Sequence, residues 1–332
     1  MDADTVPTSS TAKGSGWRRL FQPGRAEYRG YEWLIMRVLF VCAAWPTFDV
    51  RMLQKFSSFP YPNGLAQFFS LEWMFSSGVQ TVVLAIAVIH LALYVLNVAP
   101  LWTCSVLFVI HTLLGTIVNS QGAIHHTSQI VGFVLLGHII GYGALLLRQR
   151  RGDLAFSLGL GQFELLKPGE RLMAAAPSSV IYITQQMIGT AYVVSGISKL
   201  VRSEGEWVAT LPNIALQLQK TRMMDHYNSL EPVPELAGWA ITMVREYPGV
   251  AMVFFSIGLA LELFAFVALF NRGFMALAGI GLMLMHISIS QVMNLGFFYN
   301  KWMLAIFWVN VPFWCMAVVS SRSRRGQNSQ GA

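Results

Sequence analysis

Charge is what this sequence has least of. Only 12% of its 332 residues are Asp, Glu, Lys or Arg, against the roughly 25% usual in soluble domains. With 55% hydrophobic residues, so little charge excludes an ordinary soluble globular chain. Acidic residues are scarcer than basic ones, 16 against 23, for a net charge of +7. Those cations flank apolar runs, where membrane topology accounts for them, so no nucleic-acid partner is expected. Cysteine is nearly missing. Cys42, Cys104 and Cys315 each sit inside an apolar run with no CxxC, which argues for buried fillers rather than disulfides or thiolate metal ligands. There is no HExxH and no carboxylate at ligand spacing, so no metal is expected. No GxGxxG, Walker or GxSxG context occurs. The glycines at Gly159 and Gly161 lie in a polar loop with no strand–helix unit around them. The first 30 residues are polar, so no cleavable signal is expected and the first span acts as its own targeting signal.

What the sequence does have is apolar runs of about 20 residues, the length that crosses a bilayer as a helix. They are continuous rather than alternating, which argues against a spanning barrel. The expected fold is all-α: a polytopic helical membrane protein with about eight transmembrane helices plus interfacial helices, its first partner the lipid bilayer. The spans are expected near 31–48, 77–98, 101–120, 129–147, 179–200, 248–270, 274–293 and 298–319. They form one transmembrane domain over 30–320. It lies between a disordered polar and basic tail, 1–29, and a basic tail, 321–332. Aromatic-rich residues 49–76 read as a loop with an interfacial helix ending near Trp73, and Trp207–Lys220 as an amphipathic or re-entrant helix. Eight spans put both termini on one side. That side collects Arg18, Arg19, Arg25 and Arg29, the Arg148–Arg151 run, and Arg322, Arg324 and Arg325. The bias predicts a multi-pass protein of the cell membrane with both termini cytoplasmic.

The polar residues inside the spans carry any function. Gln185, Gly189, Tyr192, Gly196 and Lys199 recur at i, i+4, i+7, i+11 and i+14, one face of the fifth span. A small and polar stripe ending in an amine, on a helix otherwise fit for lipid, requires a protein or water-filled partner surface. His286, Ser290 and Asn294 make a second stripe on the seventh span. His125 and His126 lie in the turn after the third, on the same expected side. The three sets are expected to converge near the outer boundary. Taken singly, a terminal lysine snorkels, a turn histidine is solvated, and Ser or Asn glues helices together. Arg37 and Glu262 are lone charges at similar expected depths, and each is costly by itself. A buried Arg37–Glu262 pair joining the first and sixth spans is the simplest expectation. His90, His111 and His138 are expected to be packing positions.

The run AYVVSGISKLVRSEGEW, Ala191–Trp207, carries Tyr192, Ser195-Gly196, Lys199-Leu200 and Trp207 in an order that resembles the signature segment of the horizontally transferred transmembrane (HTTM) domain. That domain is the membrane portion of vitamin K-dependent γ-glutamyl carboxylases. Four further places are similar, in the family's order over about residues 30–320. They are Arg37 before Val-Leu-Phe with Asp49 following, His126-Thr127, Glu262, and His286 through Gly296-Phe297. The resemblance implies a quinol cofactor of the vitamin K or menaquinone type, with Lys199 as the base and His126 assisting it. It also implies a binding site for that lipidic quinone drawn from His286, Tyr192, Gln185, His125 and Asn294. The carboxylases carry a large soluble domain after the membrane portion. Here a short basic tail follows the last expected span, so an HTTM-type protein without that domain is expected. A looser similarity to DoxX-type membrane proteins rests on a Gly-x-x-Lys stretch. The competing reading is a non-catalytic subunit that docks onto a larger membrane-protein partner. It rests on the aromatic stretches Phe68–Phe75 and Phe297–Trp308.

Overall fold

The chain folds as a helical bundle. A computed structural model describes residues 28–122, 126–150, 171–230, 232, 235–293 and 295–316. All regular structure among them is helical. In chain order the α-helices are α1, Gly30–Ala44; α2, Ser77–Leu96; α3, Pro100–Asn119; α4, Gln129–Arg150; and α5, Arg171–Arg202. They continue with α6, Ile214–Ser229; α7, Glu235–Glu246; α8, Pro248–Leu263; α9, Arg272–Met293; and α10, Phe298–Met303. A π-helical turn, Leu304–Val309, extends α10.

Six of these segments are long and apolar enough to cross a membrane. They are Gly30–Lys55, Ser77–Leu96, Pro100–Asn119, His126–Leu147, Ser178–Arg202 and Arg272–Met293. A seventh counts if the pair Gly238–Glu246 and Pro248–Leu263, bent by 108°, is one broken span. The protein is thus a polytopic helical membrane protein with six, or up to seven, spanning segments among the described residues, rather than about eight. Two interruptions account for the difference. The expected sixth span is α-helical only to Leu263 and continues past Phe264 as the 3-10 helix Ala265–Phe270. The expected eighth is cut at Asn310, which adopts a left-handed conformation with φ 54° after the π turn. Neither break lies at a proline or glycine, so an apolar run read by length passes straight through both. The expected interfacial helix near Trp73 is two short 3-10 turns, Gly64–Gln67 and Glu72–Phe75.

α4 and α5 form the centre. Gly137 and Gly141, four residues apart on α4, face Val180 and Thr184, four apart on α5. A Cβ added at Gly137 would sit 2.7 Å from the Thr184 Cα, and one at Gly141 would sit 2.9 Å from the Val180 Cα. Bare backbone on α4 therefore lets the two helices touch. In an apolar solvent this is how helices gain packing energy, because burial from water contributes nothing between them. Peripheral α2 is 22% buried against 56% for the α4 span. Its Val82, Val88 and Ile89 are exposed to the lipid side.

The end of the bundle where α1 and α9 begin is clasped by charge. The Arg272 guanidinium at the start of α9 lies 3.3 Å from the Glu32 carboxylate in the first turn of α1. Asn310 Nδ2 donates to the same carboxylate at 2.9 Å. Arg272 is sandwiched between the Tyr28 and Phe313 rings, 4.7 and 4.1 Å from their centroids. A planar guanidinium suits that stack and a bidentate anion in a way an ammonium does not. The pair joins α1 to α9 and was not foreseen in the sequence.

Candidate functional site

The stripe on α5 is packed along its whole length against protein. Gln185 donates to the Tyr28 hydroxyl at 2.6 Å and to the Phe307 carbonyl at 2.7 Å. Gly189 receives the Trp308 ring: a Cβ there would lie 3.4 Å from its Cζ2. Tyr192 Oη is 2.8 Å from His286 Nε2. Gly196 admits Leu263, whose side chain would be 2.9 Å from an added Cβ. At the end of the stripe the Lys199 ammonium bonds the Glu262 carboxylate.

That last contact corrects the expected Arg37–Glu262 pair. The depth of Glu262 follows from counting α-helical residues back from the turn at Asn271. The six residues 265–270 are 3-10 instead, and they rise about 2.0 Å each rather than 1.5 Å. That adds only about 3 Å; what sets the pairing is the face α8 turns to α5, where Leu263 abuts Gly196 and Glu262 meets Lys199. Arg37 takes another partner. Its Nη1 donates to the Tyr94 carbonyl at 3.1 Å in the last turn of α2, and its guanidinium lies 5.5 Å from the Trp33 ring centroid. A cation at a helix C-terminus meets the negative end of the backbone dipole. Arg37 has no carboxylate partner among the described residues.

Lys199 is not a free amine at the rim. Its side chain is 33% exposed and Glu262 is 5% exposed. The ammonium lies 5.5 Å from the Trp207 ring centroid, and the Ser195 hydroxyl also bonds Glu262. Moving the proton from ammonium to carboxylate leaves amine and acid, with the net charge of the pair unchanged.

The second part of the site surrounds Tyr192. Its hydroxyl is shared by His286 and, at 3.5 Å, by Asn300 Nδ2. The Phe297 ring lies 4.5 Å from the imidazole at 30°, and Trp308 is 6.2 Å from the Tyr192 ring. Lys199 and Lys301 are both within electrostatic reach of His286. Three buried polar atoms here have no hydrogen-bond partner: His286 Nδ1, Asn300 Oδ1 and Trp308 Nε1. Such atoms are rare inside proteins, since each forfeits the bonds it had with water. Reversing the Asn300 amide only exchanges which of its two ends is left unpaired.

The remaining site residues from the sequence are dispersed. His126 is exposed at the head of the 3-10 turn His126–Ser128, and no hydrogen bond joins it to Lys199. His125 and Asn294 lie outside the described residues. Ser290 is spent on the His286 and Leu295 carbonyls. Asn300 and Trp308 were missed by sequence reasoning because they lie on α10 and its π turn, in a run that reads as plain apolar span. Among the described residues no group of three or more His, Cys, Asp or Glu could hold a metal ion. Comparison of the chain with protein-family models, with curated proteins and with solved structures finds no match.

Proposed function

We propose that this is an HTTM-type membrane protein that binds a lipid-borne ring compound carrying hydroxyl or carbonyl groups, a quinol of the vitamin K or menaquinone type, against Tyr192, His286 and Asn300. The observation that carries the proposal is the trio of buried, unpartnered polar atoms around the Tyr192 hydroxyl. Their chemistry suits such a ring. Trp308 Nε1–H donates to a carbonyl, while Asn300 and His286 Nδ1 exchange hydrogen bonds with a hydroxyl. Phe297 and Trp308 offer aromatic faces, and the surroundings are apolar, as small-molecule sites mostly are. A bound quinol supplies a redox-active pair of hydroxyls. The chain's own share is to orient that ring and to accept a proton through the Lys199–Glu262 pair: an internal shift to amine and acid is neutral, and the proton then taken up leaves the pair one charge more positive, balanced by the anion of the ring hydroxyl that gave it. The basic flanks of the first span support a cytoplasmic placement of the Glu32–Arg272 end.

The test is binding of a short-tailed naphthoquinol to the protein in lipid nanodiscs under reducing conditions, read by quenching of tryptophan fluorescence and by native mass spectrometry. Binding to the parent chain and its loss in Tyr192→Phe and Asn300→Leu supports the reading. Binding that is undetectable, or unchanged in both variants, defeats it. A stoichiometric protein partner in gently solubilised membranes, with no small molecule retained, favours the docking-subunit reading instead.

A further inference from the structure

Three histidines are buried among the described residues, and they differ in one respect. His138 is fully enclosed and both of its ring nitrogens are engaged: Nδ1 with the Val134 carbonyl at 2.6 Å, and Nε2 with the Tyr94 hydroxyl at 3.3 Å. His286 has Tyr192 at Nε2 and nothing at Nδ1. His111 is bonded to the Ser128 backbone and likewise has nothing at Nδ1. The unpartnered atoms do not scatter over the molecule. Of the six buried side-chain polar atoms without a partner among the described residues, all but Arg37 Nε belong to two neighbouring groups. His111 Nδ1 and Thr127 Oγ1 lie at the joint of α3 and the turn His126–Ser128. Asn300 Oδ1, His286 Nδ1 and Trp308 Nε1 lie around Tyr192. The turn His126–Ser128 packs directly against α10, which carries Asn300. Its first residue, His126, is exposed.

We infer that water enters the bundle beside His126 and forms a hydrogen-bonded file past His111, Thr127 and Asn300 to the Tyr192–His286 pair, giving that pair a route for exchanging protons with the aqueous phase. Buried waters make about three hydrogen bonds each to polar groups that otherwise lack partners, and these five atoms present that demand in two adjoining groups. Each imidazole offers a free Nδ1 opposite an engaged Nε2. It can take a proton on one nitrogen while releasing one from the other, so one proton moves with no net charge left behind. The inference does not depend on what the Tyr192 site binds. A ligand seated there would simply meet the inner end of the file.

The measurement is water-edited solid-state NMR on the protein in bilayers, with 15N-labelled histidine assigned by single substitutions. Magnetisation from bulk water is expected to reach the His111 and His286 ring nitrogens severalfold faster than those of His138, the dry internal standard. Thr127→Val is expected to slow the build-up at His286 while leaving exposed His126 unchanged, and Thr127→Ser, which keeps the hydroxyl, restores it. The inference is overturned if His111 and His286 fill as slowly as His138, or if Thr127→Val leaves the His286 rate unaltered in a protein that still melts cooperatively. Failure here leaves quinol binding untouched. Failure of quinol binding leaves the NMR contrast standing.

Discussion

Lys199 and Glu262 meet where α8 gives way to 3-10 helix, the ammonium one-third exposed and the carboxylate almost wholly enclosed. That asymmetry predicts which partner is the costlier to remove. Lys199→Met strands a buried carboxylate and is expected to cost about 3–5 kcal/mol, the range for breaking a buried pair. Glu262→Gln leaves an ammonium that can reach the headgroups, and about 1 kcal/mol is expected, as for exposed pairs. Thermal melting of the two variants in the same detergent decides it. Equal losses would mean that the carboxylate is solvated.

Tyr192→Phe removes the hydrogen-bond partner that His286 Nε2 has among the described residues. Leaving that buried nitrogen unsatisfied should cost about 1–3 kcal/mol. A double-mutant cycle with His286→Leu is expected to show a coupling of about 0.5–3 kcal/mol, as contacting residues do. Additive losses would show that the two side chains are not joined in the folded protein.

Gly137→Ala places a methyl 2.7 Å from the Thr184 Cα, where only backbone can yield. A loss of about 1–3 kcal/mol is expected from the overpacked contact. Gly143, on the same helix, has nothing within 4 Å of an added Cβ. Gly143→Ala is therefore expected to stabilise by about 0.5–1 kcal/mol through the helix preference of alanine. Opposite shifts in melting temperature check both at once.

Arg272→Lys keeps the charge opposite Glu32 and loses the stack between Tyr28 and Phe313. A loss of about 1–2 kcal/mol is expected from the two ring contacts. Arg272→Leu leaves Glu32 without its cation and is expected to cost about 3–5 kcal/mol. Folding yield and melting temperature should fall in that order.

Sequence periodicity exposed one half of this arrangement. The face Gln185–Gly189–Tyr192–Gly196–Lys199 is a property of a single unbroken helix, so 3.6-residue spacing was enough to read it. Its partners were not readable in the same way. Glu262 meets Lys199 just before the chain changes helix type at Phe264, and Trp308 reaches Gly189 from within a π turn. The 3-10 stretch Ala265–Phe270 and the π turn Leu304–Val309 themselves hold no proline or glycine, so local propensity is silent there and tertiary packing decides; Asn310 and Pro312 just after the π turn were the one readable sign of a break. Similar depth along two spans says nothing about which faces meet, which is why Arg37 was paired with the wrong carboxylate. The Gly137–Gly141 contact, by contrast, was written in the sequence as two glycines four apart and was not used.

Glu32 and Asn310 are separated by 278 positions. A ribosome therefore finishes and threads the first helix long before the residue that bonds its carboxylate has been made. Arg272 emerges earlier and can meet that carboxylate first, so the Asn310 bond is the later of its two partners to become available. A chain released short of Asn310 keeps the charge pair and lacks this second hold on Glu32.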